Sequence, residues 1–226
     1  MNDIDLMYEF QTLGEDCEFS FIQRRVGAEP LELFRFGAVT INQLIIGFHE
    51  EFSAIGDPKY TEIRINENRE VWAFNSRHKF SWHLFENPDT LDVESFREKL
   101  AKKMQFMRRK FLEDIEEGKK IFIFKRRDGI SLDKVQALHE AVQQLGPTPM
   151  LWVVEQSEGH EHGFIEWLSG NLMKGYIGKF TPHGRAAYGS IDMWLTICRN
   201  TLALARPAPA DPSNAPSASP AYESDR

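Results

Sequence analysis

Apolar residues recur along the chain at two different periods, and stretches of the two kinds alternate. Over Val93–Glu117 they recur every three or four residues, and Gly118 follows directly. This spacing predicts a long amphipathic helix that ends at the glycine. Two runs that are apolar at every position, residues 121–124 and 150–154, are typical of strands buried on both faces. Because a helical pattern separates these runs, we predict neighbouring parallel strands of an α/β domain.

The remaining patterns predict shorter elements around this framework. Helices are predicted at residues 16–26, 41–52, 131–145 and 190–204, and strands at residues 6–10 and 172–177. Residues 60–86 differ, because apolar and polar residues alternate there between Asn-containing turns, which is typical of short strands. We therefore predict a layered α/β fold with a mixed, largely parallel central sheet. The β-rich insert near residues 60–86 is the expected source of its antiparallel strands.

The composition changes abruptly near residue 206. From Arg206 onward Pro, Ala, Ser and Asp dominate, and large apolar side chains are almost absent. Such a segment buries too little apolar surface to offset the entropy lost on ordering it. The sequence therefore predicts one α/β domain over residues 1–205 and a disordered tail over residues 206–226.

Charge and cysteine content narrow the class of protein. The formal net charge of -7 argues against non-specific binding to nucleic acid. No segment approaches the roughly 18 apolar residues that cross a membrane, and the first ten residues lack the features of a signal peptide. Two cysteines, Cys17 and Cys198, fit a reducing compartment. We therefore expect a soluble, cytoplasmic protein that binds a small molecule or a peptide, without nucleic-acid or membrane partners.

Cys17 is the first candidate for chemistry, because it lies where an apolar stretch gives way to a predicted helix. The positive end of the helix dipole favours a thiolate, and a thiolate is a nucleophile. The neighbouring carboxylates of Glu15, Asp16 and Glu18 oppose a second negative charge. The alternative is that Cys17 packs as a small apolar side chain, as free cysteines commonly do. Cys198 lies inside the last predicted helix, where we expect a structural role.

A catalytic cysteine requires a base, and histidine is the usual one. We favour His83, which a predicted strand would hold rigidly, and rank His78 second because it lies in a predicted turn. The alternative for His83 is a half-buried histidine whose ring nitrogens are satisfied by hydrogen bonds. The residue that would orient the base stays open among three candidates, which are Asn87, Asp89 and Asp128.

A basic cluster follows the apolar run at residues 121–124. Arg126 and Arg127 lie in this cluster, and ligands of open α/β sheets bind outside the carboxyl ends of strands. The two arginines are therefore candidates to bind a phosphate or a carboxylate, although a solvated loop explains the same charges. Neither a P-loop nor a dinucleotide fingerprint is present, and His160 and His162 lack a third ligand at standard spacing. We therefore predict no cofactor and no metal.

The run LGEDCEFSFIQRRVGAEPLELFRF resembles the opening of a largely uncharacterised bacterial family described as papain-like cysteine peptidases. The matching positions are Leu13, Gly14, Cys17 and Pro30. The resemblance is specific over these roughly 25 residues and loose over the rest of the domain. It implies an intracellular α/β protein with a Cys–His site, and it supports His83 because the family has a histidine after its first strands.

Two functions follow from these observations. The first is a Cys-dependent hydrolase or acyl transferase of the papain-like type, with Cys17 as nucleophile and His83 as general base. The second is a non-catalytic domain that binds a partner protein or an anionic, phosphate- or sugar-linked ligand, in which Arg126 and Arg127 hold the anionic group. In that case Cys17 only packs.

Overall fold

The computed structural model describes residues 1–182 and 184–206, so the predicted tail lies outside the described residues from residue 207 onward. The helices are α1 (Asp3–Tyr8), α2 (Glu18–Val26), α3 (Ile41–His49), α4 (Val93–Glu117), α5 (Leu132–Gln143) and α6 (Ile191–Ala205). The strands are β1 (Phe10–Thr12), β2 (Gly37–Ala38), β3 (Thr61–Ile65), β4 (Val71–Asn75), β5 (Phe80–His83), β6 (Ile121–Lys125), β7 (Met150–Glu155), β8 (Ile165–Ser169) and β9 (Leu172–Ile177).

The central sheet has five strands in the order β1-β6-β7-β9-β8. The first four are mutually parallel, and β8 runs antiparallel to β9 at one edge. The two apolar runs are the neighbouring parallel strands β6 and β7, which confirms the predicted α/β class and the largely parallel sheet. The strand β8 was not predicted, because it is a half-exposed edge strand that lacks an uninterrupted apolar run.

Helices cover both faces of the central sheet. Ile121 and Ile123 of β6 contribute to a core with α1, α2 and α6, whereas Phe122 and Phe124 contribute to a core with α3, α4 and α5. Alternate residues of one strand therefore face different helical layers, because side chains alternate across a sheet. This double coverage explains why every residue of β6 is buried.

The insert near residues 60–86 forms strands, as predicted, but they belong to a separate antiparallel sheet in the order β2-β5-β4-β3. The mixed character of the central sheet therefore comes from β8, and the prediction that the insert causes it was wrong. The reason is the alternating pattern itself. Ala73, Phe80 and Trp82 pack into the larger core, whereas Phe74 and His83 on the other face are only half-buried. A sheet with one face at the solvent does not fit between two helical layers.

The start of the chain also differs from the prediction. The expected strand at residues 6–10 is mostly helix α1, and β1 begins only at Phe10. The side chain of Asn2 accepts a hydrogen bond from the backbone N–H of Asp5 at 2.8 Å. This N-cap favours a helical first turn, which the apolar pattern alone did not reveal.

The long helix α4 begins and ends at the predicted residues, and Gly118 adopts the left-handed conformation that ends it, with φ of 62°. Its exposed face is strongly charged. Within residues 1–182 and 184–206, every helix is too short or too polar to span a bilayer.

Phe111 of α4 is the centre of the larger core, and its truncation should be strongly destabilising. Its ring lies 5.2 Å from that of Phe34 and is stacked on Phe122, also at 5.2 Å. We expect Phe111→Ala to lower the free energy of unfolding by about 3–5 kcal/mol in a denaturant titration. Phe106 of the same helix is 45% exposed, so Phe106→Ala should change it by less than about 0.5 kcal/mol. Equal effects of the two variants would contradict this description of the core.

Candidate functional site

The carboxyl ends of β1 and β6 form a crevice, because the chain leaves these neighbouring strands toward opposite faces of the sheet. After β1 it enters α2, which packs on the face of Ile121 and Ile123. After β6 it enters α5, which packs on the face of Phe122. Ligands of open α/β sheets bind at such a point, where the direction of the connections reverses. The topology alone therefore marks this edge of the sheet as a candidate site.

A cleft of about 460 Å³ lies at this edge, and we call it the switch-point cleft. Its lining comes from the segments after β1 and β6, from the start of α3 and from the loop before α6. The ionisable residues of this lining are four cations and three carboxylates, namely Lys79, Lys125, Arg126, Arg127, Glu15, Asp16 and Asp128. The cleft is thus polar, and it has nearly equal numbers of positively and negatively charged side chains.

A buried ion pair joins the two strand ends behind the cleft. Lys125 is the last residue of β6, Glu18 is the first residue of α2, and both are almost fully buried. The Nζ of Lys125 lies 2.6 Å from Oε2 of Glu18 and 2.6 Å from Oδ2 of Asp16. The other oxygen of Glu18, Oε1, accepts a hydrogen bond from Nε1 of Trp194 at 3.0 Å. The backbone N–H of Thr181 donates to Oε2 as well, at 3.3 Å, so the buried carboxylate is well satisfied.

Arg127 belongs to the same network. Its Nη2 lies 3.5 Å from Oδ2 of Asp16 and 3.9 Å from Oε2 of Glu18, and Nη1 donates to the backbone carbonyl of Thr181. These contacts tie the guanidinium to protein groups. Although the sequence nominated Arg127 as a ligand-binding residue, its contacts connect the loop after β6 to the loop before α6.

Arg126 has fewer carboxylate partners than Arg127 in the described part of the chain. Its Nη1 lies 3.2 Å from Oε1 of Glu15, its one carboxylate partner within residues 1–182 and 184–206, and about a third of its side chain is exposed. Burial raises the pKa of Glu15 to about 7, and the nearby charges of Asp16 and Asp128 add to the shift, whereas Arg126 opposes it. Glu15 also has a φ of 72°, a conformation that non-glycine residues rarely adopt. Near neutral pH, Glu15 is therefore partly protonated, which weakens its attraction to Arg126.

Cys17 lies at the N-cap position of α2, as the sequence predicts, and it is half-buried. Burial raises the pKa of its thiol to about 12, Asp16 raises it further, and Lys125 lowers it. The effect of burial therefore exceeds the help of the nearby ammonium group. In the described part of the chain, no hydrogen bond joins Sγ of Cys17 to a histidine ring. Cys198 is fully buried in α6, and burial raises its pKa as well.

His83 lies on the outer face of the second sheet, outside the switch-point cleft. Its ring is stacked on Trp72, with centroids 4.8 Å apart, and contacts Phe85 at 4.0 Å. Burial lowers its pKa, and the charge of Arg24 contributes to that shift. Since Arg24 follows Cys17 by seven residues, it lies roughly 10 Å farther along α2. The structure does not bring His83 and Cys17 into contact, and their joint catalytic role stays a prediction.

His78 is a buried structural residue. Its Nε2 accepts a hydrogen bond from the backbone N–H of Ala54 at 3.3 Å, and burial lowers its pKa. An Nε2 that accepts a hydrogen bond and a lowered pKa both correspond to a neutral imidazole ring. Among the residues with described positions, no group of three or more His, Cys, Asp or Glu side chains is arranged to hold a metal ion.

Comparison with known proteins finds no family model, no curated protein and no solved structure that matches this chain. The resemblance to the papain-like family therefore stays a prediction.

Sequence reasoning identified Arg126 and Arg127 but missed the acidic half of the site. Glu15, Asp16 and Glu18 were considered only for their effect on Cys17. The signal was present, however, because an acidic segment after one strand and a basic segment after its parallel neighbour meet at the same edge of a sheet.

Removal of the Lys125 ammonium should leave Glu18 as a buried charge with weaker compensation. We expect Lys125→Met to lower the free energy of unfolding by about 3–5 kcal/mol at neutral pH, measured by denaturant titration. Lys134→Met, on an exposed position of α5, is the matched control and should change it by less than about 0.5 kcal/mol. An effect of Lys125→Met as small as that of the control would contradict the importance of this ion pair.

Thiol labelling measures the environment of Cys17 directly. At pH 7.5 we expect iodoacetamide to alkylate Cys17 at least about tenfold more slowly than a cysteine in a model peptide, because its pKa is raised. Cys17 should still react before the fully buried Cys198, and the variants Cys17→Ser and Cys198→Ser separate the two signals. Labelling of Cys17 faster than the peptide, with a loss of that rate in His83→Ala, would instead favour an activated nucleophile.

Proposed function

We propose that this protein is a non-catalytic binding domain and that its switch-point cleft holds a small polar ligand with an anionic group. The observation that carries the proposal is the position of Arg126 and its pairing with one carboxylate. It lies at the point where the sheet topology favours ligand binding, and a single carboxylate with a pKa of about 7 occupies it. Its remaining N–H donors are available for a phosphate, sulfate or carboxylate, which arginine binds through two parallel hydrogen bonds.

Lys79 supplies a second cation to the same cleft. It is exposed, and within residues 1–182 and 184–206 no carboxylate lies within ion-pair distance of its ammonium. In contrast, Lys125 and Arg127 are held in the buried network. We therefore assign the anionic group of the ligand to Arg126 and Lys79. The exposed carboxylate of Asp128 suits a hydroxyl-bearing remainder, such as a sugar, because it accepts hydrogen bonds from hydroxyl groups.

A Cys-dependent hydrolase or acyl transferase receives less support from the geometry. A nucleophilic cysteine needs a thiolate at working pH and a base within hydrogen-bond distance. Burial raises the pKa of the Cys17 thiol, and His83 is stacked on Trp72, outside the switch-point cleft. The hydrolase hypothesis stays a prediction that the labelling experiment addresses.

Loss of the Arg126 guanidinium should abolish most of the affinity for anions. We would titrate the protein with sulfate and with glucose 6-sulfate by isothermal calorimetry and expect Arg126→Met to weaken both affinities at least about tenfold. The control is Arg109→Met, which removes an equal charge from an exposed position of α4 and should leave the affinities within about twofold.

The pH dependence provides an internal check, because both probes keep a constant charge near neutrality. Below a pH of about 7 Glu15 becomes neutral and no longer competes for Arg126, so affinity should rise as the pH falls from 8 to 6. Glu15→Gln should show the higher affinity throughout and lose this pH dependence. Absence of saturable binding, or equal losses in the two arginine variants, would refute the proposed function.

A further inference from the structure

A second cavity lies on another side of α2. It has a volume of about 360 Å³ and is enclosed by the end of α2, the segment of residues 29–36, the end of β5 and one face of α4. We call it the α4 cavity. It shares no lining residue with the switch-point cleft, so the two are separate sites within the described part of the chain.

The floor of the α4 cavity is apolar and rigid on one side. Six large apolar side chains form it, namely Leu33, Trp82, Leu84, Leu100, Met104 and Met107. The indole Nε1 of Trp82 donates to the carbonyl of Leu33 at 2.6 Å, which fixes that wall. The side chains of Met104 and Met107 are flexible and can adapt to the shape of an apolar ligand. A cavity of about 360 Å³ lies within the size range of small-molecule sites.

The rim of the α4 cavity has an excess of positive charge. Arg24, Arg35 and Lys103 lie there, and Glu29 is the one carboxylate that faces them. Glu29 pairs with both arginines, at 3.2 Å from Nε of Arg24 and in a short contact with Nη1 of Arg35. One carboxylate therefore serves two guanidinium groups, and Lys103 is exposed without an ion-pair partner in the described part of the chain. His83 also lies at the rim, and burial lowers its pKa, which keeps its ring neutral.

Arg35 has an unused donor that is already buried. Only 9% of its side chain is exposed, and among the described residues its Nε has no hydrogen-bond partner. Its Nη2 donates to the carbonyl of Ala28 at 3.2 Å, so the guanidinium is held in place. The fixed guanidinium therefore contributes a positive charge to the lining of the cavity.

The second lining carboxylate, Glu32, is engaged by partners outside the cavity. Its Oε1 accepts from Nε2 of Gln23 at 3.0 Å, and its Oε2 accepts from the backbone N–H of Thr12 at 3.3 Å. These contacts hold its carboxyl group toward α2 and β1. Burial also raises its pKa to about 7, so it is partly neutral at physiological pH.

From the apolar floor and the cationic rim, we propose that the α4 cavity binds an amphipathic organic anion, namely a carboxylate with an unbranched apolar body of about ten carbons. The body lies on the floor between Trp82 and Met107, and the carboxylate lies among Arg35, Arg24 and Lys103. Arg24 is stacked over the rings of Phe36 and Phe85, at 4.3 and 4.7 Å, which positions its charge at the opening.

The test uses decanoate as the probe and two neighbouring lysines of α4. By isothermal calorimetry we expect saturable binding of one decanoate to the full-length protein, and decylamine of the same length should bind at least about tenfold more weakly. Lys103→Glu should weaken decanoate binding about fivefold or more, because it reverses a charge at the rim. Lys102→Glu makes the same change on an exposed residue that does not line the cavity and should stay within about twofold.

Three outcomes would overturn the proposal, namely an absence of saturable decanoate binding, equal binding of decylamine, or equal losses in the two lysine variants. A second variant, Met107→Trp, fills the cavity and should abolish decanoate binding while the circular dichroism spectrum is retained. Sulfate affinity at the switch-point cleft should remain unchanged in all three variants, which separates this site from the proposed function.

Discussion

The contact between Lys125 and Glu18 fixes the structure around the candidate site. It joins the last residue of β6 to the first residue of α2, which are 107 positions apart in sequence. Both side chains leave water completely, and such a pair is favourable only when its geometry and hydrogen bonds compensate for the lost hydration. Here Trp194, Thr181 and Asp16 provide that compensation. The result is a fixed distance between the two strand ends that form the cleft.

This network also determines which charges remain for a ligand. Lys125 and Arg127 are engaged by carboxylates that the fold itself supplies, so the number of basic residues overstates the anion-binding capacity of the cleft. Arg126 is the exception because its partner, Glu15, sits in a strained conformation and shares its surroundings with Asp16 and Asp128. Burial and repulsion from Asp16 and Asp128 favour the neutral form of Glu15. An anionic ligand of Arg126 would be repelled less by this neutral form. In the proposed function, the raised pKa of Glu15 would therefore favour the binding of an anion to Arg126.

The fold was largely predictable because its signals are local. The period of apolar residues in α4, the apolar runs of β6 and β7, and the glycines that end α2 and α4 each depend on adjacent residues. The strand β8 escaped because an edge strand with a half-exposed face has no local signature of that strength. The placement of the insert in a second sheet was missed for another reason, because its alternating pattern indicates one exposed face but does not identify the strands with which it pairs.

The site was only partly predictable, because its chemistry depends on burial and on partners distant in sequence. The position of Cys17 at a helix start was predicted correctly, but burial raises the pKa of its thiol more than Lys125 lowers it. The strand that holds His83 was also predicted, yet the face on which it lies is set by the separate sheet. Parallel pairing of β1 and β6 was the missing step that brings Glu15 and Arg126 together.

The helix α2 separates the two proposed sites and is fixed at both ends. Glu18 holds its start through Lys125, and Gln23 holds its last turn through Glu32 and the carbonyls of Met7 and Phe10. The segments of residues 33–39 and 79–85 also link the two sites, because each contributes lining residues to both. A movement of α2 itself would break buried polar contacts at one end or the other. Since these contacts are costly to leave unmade, the helix acts as a rigid wall. Communication between the two proposed sites would therefore run through the segments that line both of them and not through α2.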